Sequence, residues 1–225
     1  MRSSRQATAV LAALAATVLA SAPLAAQATA NWDMHPNSWY WGGYWGQTSL
    51  ATTIARTHAP TVGVDWMITR TRFALNIFAE QSYFNAVSTI TDFPTAAPRR
   101  VDISDMRRIG GGAMIFLPSY KYFHPWFGAG YAFNYIRQAT PQGSSFASPA
   151  ARDTINARIE TAKSQGKLYG ELGIMTVYKD WAPFFQFTVM PTQGTGNWFV
   201  NGEGFTNVWK VGLRYNFGTA IEEKW

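Results

Sequence analysis

The stretch at residues 209–217 reads WKVGLRYNF and alternates strictly between apolar and polar positions. One face carries Trp, Val, Leu, Tyr and Phe, and the other carries Lys210 and Arg214 with a glycine and an asparagine. A period of two indicates a β-strand that presents one apolar and one polar face. The rest of the chain can be compared with this segment.

Seven further segments show the same alternation, whereas the i, i+3, i+4, i+7 spacing of amphipathic helices is hard to find. The predicted strands are residues 38–47, 61–69, 72–84, 108–117, 126–137, 166–178 and 183–191, followed by 209–217. An even number of alternating strands is typical of a closed antiparallel barrel.

The connections between these strands alternate in length. Residues 70–72, 118–121 and 179–182 read as tight turns, whereas residues 85–107, 138–163 and 192–204 read as long loops rich in Gly, Pro, Ser and Thr. Within the loop at residues 138–163, residues 150–163 fit either a helix or an extension of the sixth strand. The sequence therefore predicts an all-β fold, an eight-stranded antiparallel transmembrane β-barrel with short periplasmic turns and long extracellular loops.

The charged residues within the strands test this prediction. In the strand interiors, every charged residue falls on a polar face: Asp65, Glu80, Lys167, Glu171, Lys210 and Arg214. A Lys or Arg that faced lipid at the bilayer midplane would cost about 2–4 kcal/mol. We therefore expect these six side chains to point into the barrel.

Aromatic residues cluster near the predicted strand ends. Those on the turn side are Tyr120, Tyr122, Phe123, Tyr178, Trp181, Tyr215 and Phe217, and those on the loop side are Phe84, Tyr135, Trp198, Phe199 and Phe205. This placement is typical of the aromatic girdles that lie at the two interfaces of a membrane.

The first 30 residues have the three parts of a secretory signal peptide. Arg2 and Arg5 precede an apolar run at residues 7–20, and small residues then form cleavage sites that end at Ala28 or Ala30. The run is shorter than the roughly 20 residues of a membrane-spanning helix. We expect cleavage, which leaves a barrel over residues 31–217 and a short tail over residues 218–225.

The composition excludes several other classes. With 16% aromatic and 14% charged residues, the chain does not resemble a disordered protein. It has no cysteine, which excludes disulfides, thiol catalysis and cysteine-based zinc sites. The formal net charge is +6, but the basic residues are scattered, so nucleic acid is not an expected partner.

Two strands resemble a known family. The runs HPWFGAGYA at residues 124–132 and VGLRYNFG at residues 211–218 are similar to strands of the small eight-stranded outer-membrane β-barrel proteins, the OmpX-like and OmpW-like group. The resemblance implies an integral outer-membrane barrel and makes the barrel assembly machinery a partner. It also implies that Phe217 acts as the assembly signal, although residues 218–225 follow it here.

An eight-stranded barrel is just wide enough inside to be filled by side chains. Our main hypothesis is a structural or envelope-surface role with a lumen closed by the six charges. The alternative is a narrow channel or transporter for small or hydrophobic solutes. We expect Glu80 and Glu171 to be the acids that lie near Lys210 and Arg214.

A second alternative is a lipid-modifying outer-membrane enzyme, because related deacylases use a His and a Ser near the membrane interface. The three histidines are His35, His58 and His124, and none stands in the His-x-Ser-Asn arrangement of those enzymes. His58 with a nearby Ser or Thr keeps the possibility open. No two histidines have the spacing of metal ligands, and we expect no cofactor.

Four arginines lie in or next to the predicted loop at residues 85–107: Arg99, Arg100, Arg107 and Arg108. Their guanidinium groups suit the phosphates of lipopolysaccharide, which makes that lipid a candidate partner. Solvation of exposed arginines is the simpler interpretation of the same residues.

Overall fold

The computed structural model describes residues 37–92, 95–120, 122–143, 145–192 and 198–219. Within these ranges no helix has the length and apolarity needed to cross a bilayer. The predicted signal peptide, His35 and the tail beyond residue 219 lie outside the described residues.

Eight antiparallel strands close into a ring in which each pairs with its neighbours in sequence and the last pairs with the first. They are β1 (Ser38–Ala51), β2 (Arg56–Arg70), β3 (Phe73–Thr91), β4 (Pro98–Phe116), β5 (Phe123–Pro141), β6 (Ser164–Thr176), β7 (Trp181–Pro191) and β8 (Phe205–Thr219). Closure pairs both edges of the sheet and leaves no exposed edge strand. The predicted fold class is confirmed.

The strands β3 to β5 run farther than the sequence pattern predicted. Most of the predicted loop at residues 85–107 belongs to β3 and β4, so this connection is short rather than long. The prediction was wrong because the outer face becomes polar there, at Asn85, Asp102 and Ser104, and a polar strand resembles a loop in sequence. This extension gives the barrel a taller wall on one side.

A helix, α1 (Pro149–Ala162), occupies the connection between β5 and β6. Residues 150–163, for which the sequence allowed a helix or an extension of the sixth strand, therefore form mainly a helix. The Ser148 side chain accepts a hydrogen bond from the Ala151 backbone N–H, and Pro149 starts the first turn. Serine is favoured at the N-cap of a helix, and proline is favoured at the first helical position. Its buried face, with Ile155 and Ile159, packs over the loop end of the barrel.

The outer wall is apolar and the inside is polar at mid-height. Ile109 and Leu168, on the outer face, are 63% and 68% exposed, whereas the inward-facing Arg214 is 0% exposed. In β1, where both faces are aromatic, Trp41 and Trp45 point outward while Tyr44 points inward. An apolar outer wall around a charged interior is the arrangement of a barrel that spans a bilayer.

A β-bulge changes the phase of β4 where the wall rises above this apolar zone. Tyr83 and Phe84 of β3 stand opposite Asp105 alone, whose φ of 52° lies in the left-handed region. Ile103 and Met106, on either side of Asp105, consequently both face inward. Bulges of this kind re-aim side chains at the rims of barrels.

The lumen is filled in three layers. At the turn end an apolar cluster includes Met67, Phe116 and Trp126, and the charged residues lie above it. At the loop end a second apolar cluster joins the strands to α1 and to residues 198–200. The two apolar layers are buried and pack inside the ring.

The loop-end cluster corrects part of the predicted aromatic girdle. Tyr135 and Phe205 face outward as predicted. Phe84, Trp198 and Phe199 are instead buried in the loop-end cluster. The Ser88 hydroxyl donates to the Phe199 backbone carbonyl at 2.9 Å and fastens this segment to the inner wall. These three aromatics therefore close the lumen and do not contact the membrane interface.

Inward-facing glycines make room for the large side chains of the lumen. A Cβ on Gly112 would lie 2.6 Å from the backbone oxygen of Ala129 and 2.6 Å from the Tyr169 hydroxyl. The close approach of two strands and a tyrosine therefore requires glycine at this position. Gly43 faces outward, and a Cβ there would meet no atom within 4 Å.

We expect Gly112→Ala to destabilise the barrel by about 1–3 kcal/mol, because the added methyl group overpacks the lumen. Urea unfolding of protein refolded into detergent micelles measures the change. Gly43→Ala is the matched control and should leave the unfolding free energy nearly unchanged. Equal effects of the two variants would contradict the proposed interior packing.

Candidate functional site

The strands bring all six charged residues predicted for the lumen inside the ring. Their exposed fractions are 6% or less: Asp65, Glu80, Lys167, Glu171, Lys210 and Arg214. They come from β2, β3, β6 and β8, whose alternation places every second side chain inward. Arg108 of β4 joins them with 2% exposure.

Glu80 is the centre of this charged layer. Its Oε1 lies 2.6 Å from Nη1 of Arg108, and its Oε2 lies 2.7 Å from Nζ of Lys210. The Tyr44 hydroxyl donates a third hydrogen bond to Oε2 at 2.9 Å. One carboxylate thus binds two cations that come from opposite sides of the ring.

The two cations of this network have further partners. Arg108 Nε donates to Oδ1 of Asn134 at 2.8 Å. Lys210 Nζ lies 4.7 Å from the ring centroid of Tyr44 and 4.5 Å from that of Phe78. Aromatic faces stabilise a desolvated cation by cation–π attraction.

Asp65 and Arg214 form a second ion pair closer to the turn end. Nε and Nη2 of Arg214 donate to Oδ2 of Asp65 at 2.9 and 2.6 Å. The guanidinium carbon also lies 3.9 Å from the ring centroid of Phe184, in the turn-end apolar cluster. This pair therefore joins the charged layer to the apolar layer beneath it.

The sequence predicted which acids lie near Lys210 and Arg214 but not the pairs, and the structure pairs Glu80 with Lys210 and Asp65 with Arg214. Glu171 accepts a hydrogen bond from Nε2 of Gln186 at 2.6 Å. Lys167 Nζ lies 5.3 Å from the ring centroid of Trp198, beside the loop-end layer. The strand pattern fixed the face of each residue but not its neighbour across the ring.

Arg108 is a lumen residue that the sequence interpretation missed. We assigned it to the group that contacts lipopolysaccharide, and this was wrong because the side chain is buried against Glu80. The position of Arg108 in the alternation of β4 could have shown that it faces inward. Arg108 shares parity with Gly110 and Gly112 and is opposite in parity to the outward-facing Ile109.

The other three arginines of that group lie at the loop end. Arg99 pairs with Asp92 at 2.7 Å and donates to the backbone oxygens of Gln142 and Ser145. It therefore fastens two connections together. Arg100 and Arg107 are exposed on the outer face of β4, where Arg107 Nε donates to Oε1 of Gln81 at 3.3 Å.

The two histidines in the described part of the chain lie at opposite ends of the barrel. His124 is buried at the turn end of β5. His58 is exposed near the loop end of β2, and its cross-strand partner is Ser49 of β1. Across the described ranges, no group of three or more His, Cys, Asp or Glu residues has the geometry of a metal site.

The charged side chains of the lumen hold one another in place. Buried charges are stabilised only by close partners, because desolvation costs several kcal/mol per ion. Above the ion pairs, the hydroxyls of Thr48, Thr61 and Ser82 bond to one another at 2.7–3.1 Å. An apolar layer lies at each end of the polar layer. Buried side chains therefore occupy the lumen at three levels.

Known structures share this fold with the chain. Neisserial surface protein A (NspA) superposes with a TM-score of 0.53 at 10% identity, covering 80% of this chain and 97% of that one. The N-terminal β-barrel domain of Pseudomonas aeruginosa OprF gives a TM-score of 0.47 at 10% identity, with 82% and 100% covered. The outer membrane protein OprG from Pseudomonas aeruginosa gives 0.48 at 11% identity, with 82% and 98% covered.

The likeness to NspA, whose TM-score is above 0.5, establishes the fold and not a role. No protein-family model matches the chain, and no curated protein matches it. The resemblance to small eight-stranded barrels that the two strand motifs indicated is thus confirmed as a resemblance of fold.

We expect Glu80→Ala to be among the most damaging substitutions in the lumen. It leaves Arg108 and Lys210 buried without their carboxylate, and breaking a buried ion pair in this way costs about 3–5 kcal/mol. Urea unfolding in micelles measures the loss. In the triple variant Glu80→Leu, Arg108→Met and Lys210→Met, most of the lost stability should return, because all three charges of this ion-pair network are removed together.

Glu160→Ala is the control, because this carboxylate also contacts a lysine, Lys163, but is 68% exposed. Its removal should cost under about 1 kcal/mol. A Glu80→Ala variant as stable as Glu160→Ala would show that the central network does not hold the barrel together.

Proposed function

We propose that the chain is an integral barrel of the Gram-negative outer membrane, with a side-chain-filled lumen and a structural or surface role in the cell envelope. The observation that carries the proposal is the lumen filled at three levels, with apolar side chains above and below the ion pairs. In this proposal the barrel displays its loop end at the cell surface and conducts no solute.

Export and assembly belong to the same proposal. The signal peptide directs secretion and is removed, and the barrel assembly machinery then inserts the chain. Phe217 supports the assembly step, because it lies on β8 at the closing seam of the barrel and is 65% exposed on the outer face. An exposed aromatic side chain on the last strand is available to a partner before the barrel reaches lipid.

The orientation follows from the chain path. Both termini of the barrel lie at the turn end, where the connections β2–β3, β4–β5 and β6–β7 are short. Export through the inner membrane delivers the chain from the periplasm, so the end with both termini and the short turns stays periplasmic. The helix α1 and residues 198–200 then close the outer mouth.

We expect refolded protein to give no steady conductance steps in planar bilayers, because ions meet two apolar layers as well as the charged one. Glu80→Ala should also stay silent, since both apolar layers remain. Heat-modifiable gel mobility verifies that each sample is folded. Steady single-channel steps from folded wild-type protein would overturn the closed lumen and favour the narrow channel or transporter.

A second candidate function rests on one observation in the strand register. His58 and Ser49 stand directly opposite each other in the β1–β2 pair, near the loop end. Directly opposed residues have Cβ atoms about 5 Å apart. A histidine beside a serine at the membrane interface could act as base and nucleophile toward a lipid ester.

The His58→Asn variant separates this candidate from the surface role. If the barrel removes acyl chains, outer-membrane lipid A from cells expressing the wild-type protein loses mass, and the variant abolishes the change. Under the main proposal, lipid A has the same mass with either protein and with a Ser49→Ala variant. Mass spectrometry of extracted lipid A reads the outcome.

A further inference from the structure

The outer face of β3, β4 and β5 changes its chemistry in steps from the membrane upward. Ala79, Ile109 and Phe133 form one row across the three strands, and the latter two are 63% and 51% exposed. The next outward row is Gln81, Arg107 and Tyr135. From one row to the next, the outer face therefore changes from purely apolar to basic and aromatic.

Above this row the bulge at Asp105 places another arginine on the same side. Arg137 of β5 has a half-exposed side chain, and its Nη1 lies 3.9 Å from Oδ2 of Asp105. Tyr83 of β3, opposite Asp105, is 48% exposed. Two arginines and two tyrosines thus share one patch where the lipid-facing zone ends.

The following two rows carry five polar residues and Val87, and they line a groove. Asn85, Ser104 and Gln138 form the first, and Val87, Asp102 and Thr140 form the second. These six residues, with Ala86 and Ile103, enclose a volume of about 390 Å³. Ser104 donates to Gln138 at 3.1 Å, so the groove presents amide and hydroxyl groups already arranged by hydrogen bonds.

We propose that this face binds the phosphorylated, sugar-containing headgroup of an outer-leaflet glycolipid of the lipid A type. The acyl chains lie against the Ile109 row, a phosphate contacts Arg107 and Arg137, and the sugars occupy the polar groove. The proposal depends on the proposed outer-membrane location.

The order and spacing of the groups support this occupant. Arginine is the side chain suited to bidentate phosphate recognition. Strands rise by about 3.3 Å per residue, so the groove row at Ser104 lies about 10 Å farther along β4 than Arg107. In a glycolipid of the lipid A type the phosphate is bonded to the sugar that carries the acyl chains, so one ligand can place a phosphate at the arginines and a sugar in the neighbouring groove. A phospholipid supplies the phosphate and the acyl chains but leaves the groove without sugar.

The charge of the face is weakly positive. It carries Arg100, Arg107 and Arg137 against Asp102 and Asp105, and Asp102 accepts a hydrogen bond from Gln142 at 2.6 Å. Arg56, at the loop end of β2, is instead paired with Glu203. Charge complementarity therefore favours a phosphate on this side of the barrel.

The test measures binding of purified lipid A that carries both phosphates to the refolded protein in zwitterionic micelles. We expect Arg107→Gln with Arg137→Gln to weaken binding at least about tenfold, with dephosphorylated lipid A binding wild-type protein equally weakly. Asn85→Ala with Gln138→Ala should weaken binding of lipid A while leaving binding of phosphatidylglycerol unchanged. Phosphatidylglycerol should fail to displace lipid A from wild-type protein at equal phosphate concentration.

Arg70→Gln with Arg72→Gln is the matched control, because it removes two arginines at the turn end, and it should bind lipid A like the wild type. Heat-modifiable mobility verifies folding. If the Gln variant does not fold, Arg107→Lys with Arg137→Lys replaces it, and it should also weaken binding, because lysine cannot contact a phosphate bidentately. Unchanged binding after the Arg107 and Arg137 substitutions, or displacement by phosphatidylglycerol, would overturn the proposal. A conducting lumen would overturn the proposed function and leave this result standing.

Discussion

The carboxylate of Glu80 holds Arg108 and Lys210 in the middle of the barrel, and much of the interior is arranged around that triad. Two buried cations need an anion within hydrogen-bond distance, because neither retains bulk water. Tyr44, Asn134 and the ring of Phe78 complete their surroundings. Glycines at the inner wall let strands and large side chains approach closely enough for these contacts to form.

Those contacts also limit what the lumen can do. A path for ions needs groups that bind and release, whereas here the cations are fixed by carboxylates and aromatic rings. The apolar layers at the two ends add a separate barrier, since the cap made by α1 and residues 198–200 does not depend on the ion pairs. The tall side formed by β3 to β5 differs most from a plain lipid-facing barrel.

The change of polarity along β3 to β5 explains why the sequence was misleading there. In the bilayer the outward residues are apolar, and above it the outward residues are polar while Val101 and Ile103 turn inward. The bulge at Asp105 shifts the phase of β4 by one residue. A search for one continuous alternation therefore stops at the bulge, and the remainder of each strand reads as loop.

The sequence by itself determined that the chain forms alternating strands and that Asp65, Glu80, Lys167, Glu171, Lys210 and Arg214 share the inner face. Alternation is a local property of an extended backbone, so neighbouring residues are enough to reveal it. Only the tertiary structure decided that Arg214 pairs with Asp65, 149 residues away, and that Arg108 enters the lumen. It also decided that Trp198 and Phe199 form a cap, because these contacts depend on ring closure, on the register of strand pairs and on the bulge. None of those is encoded in the pattern of a single strand.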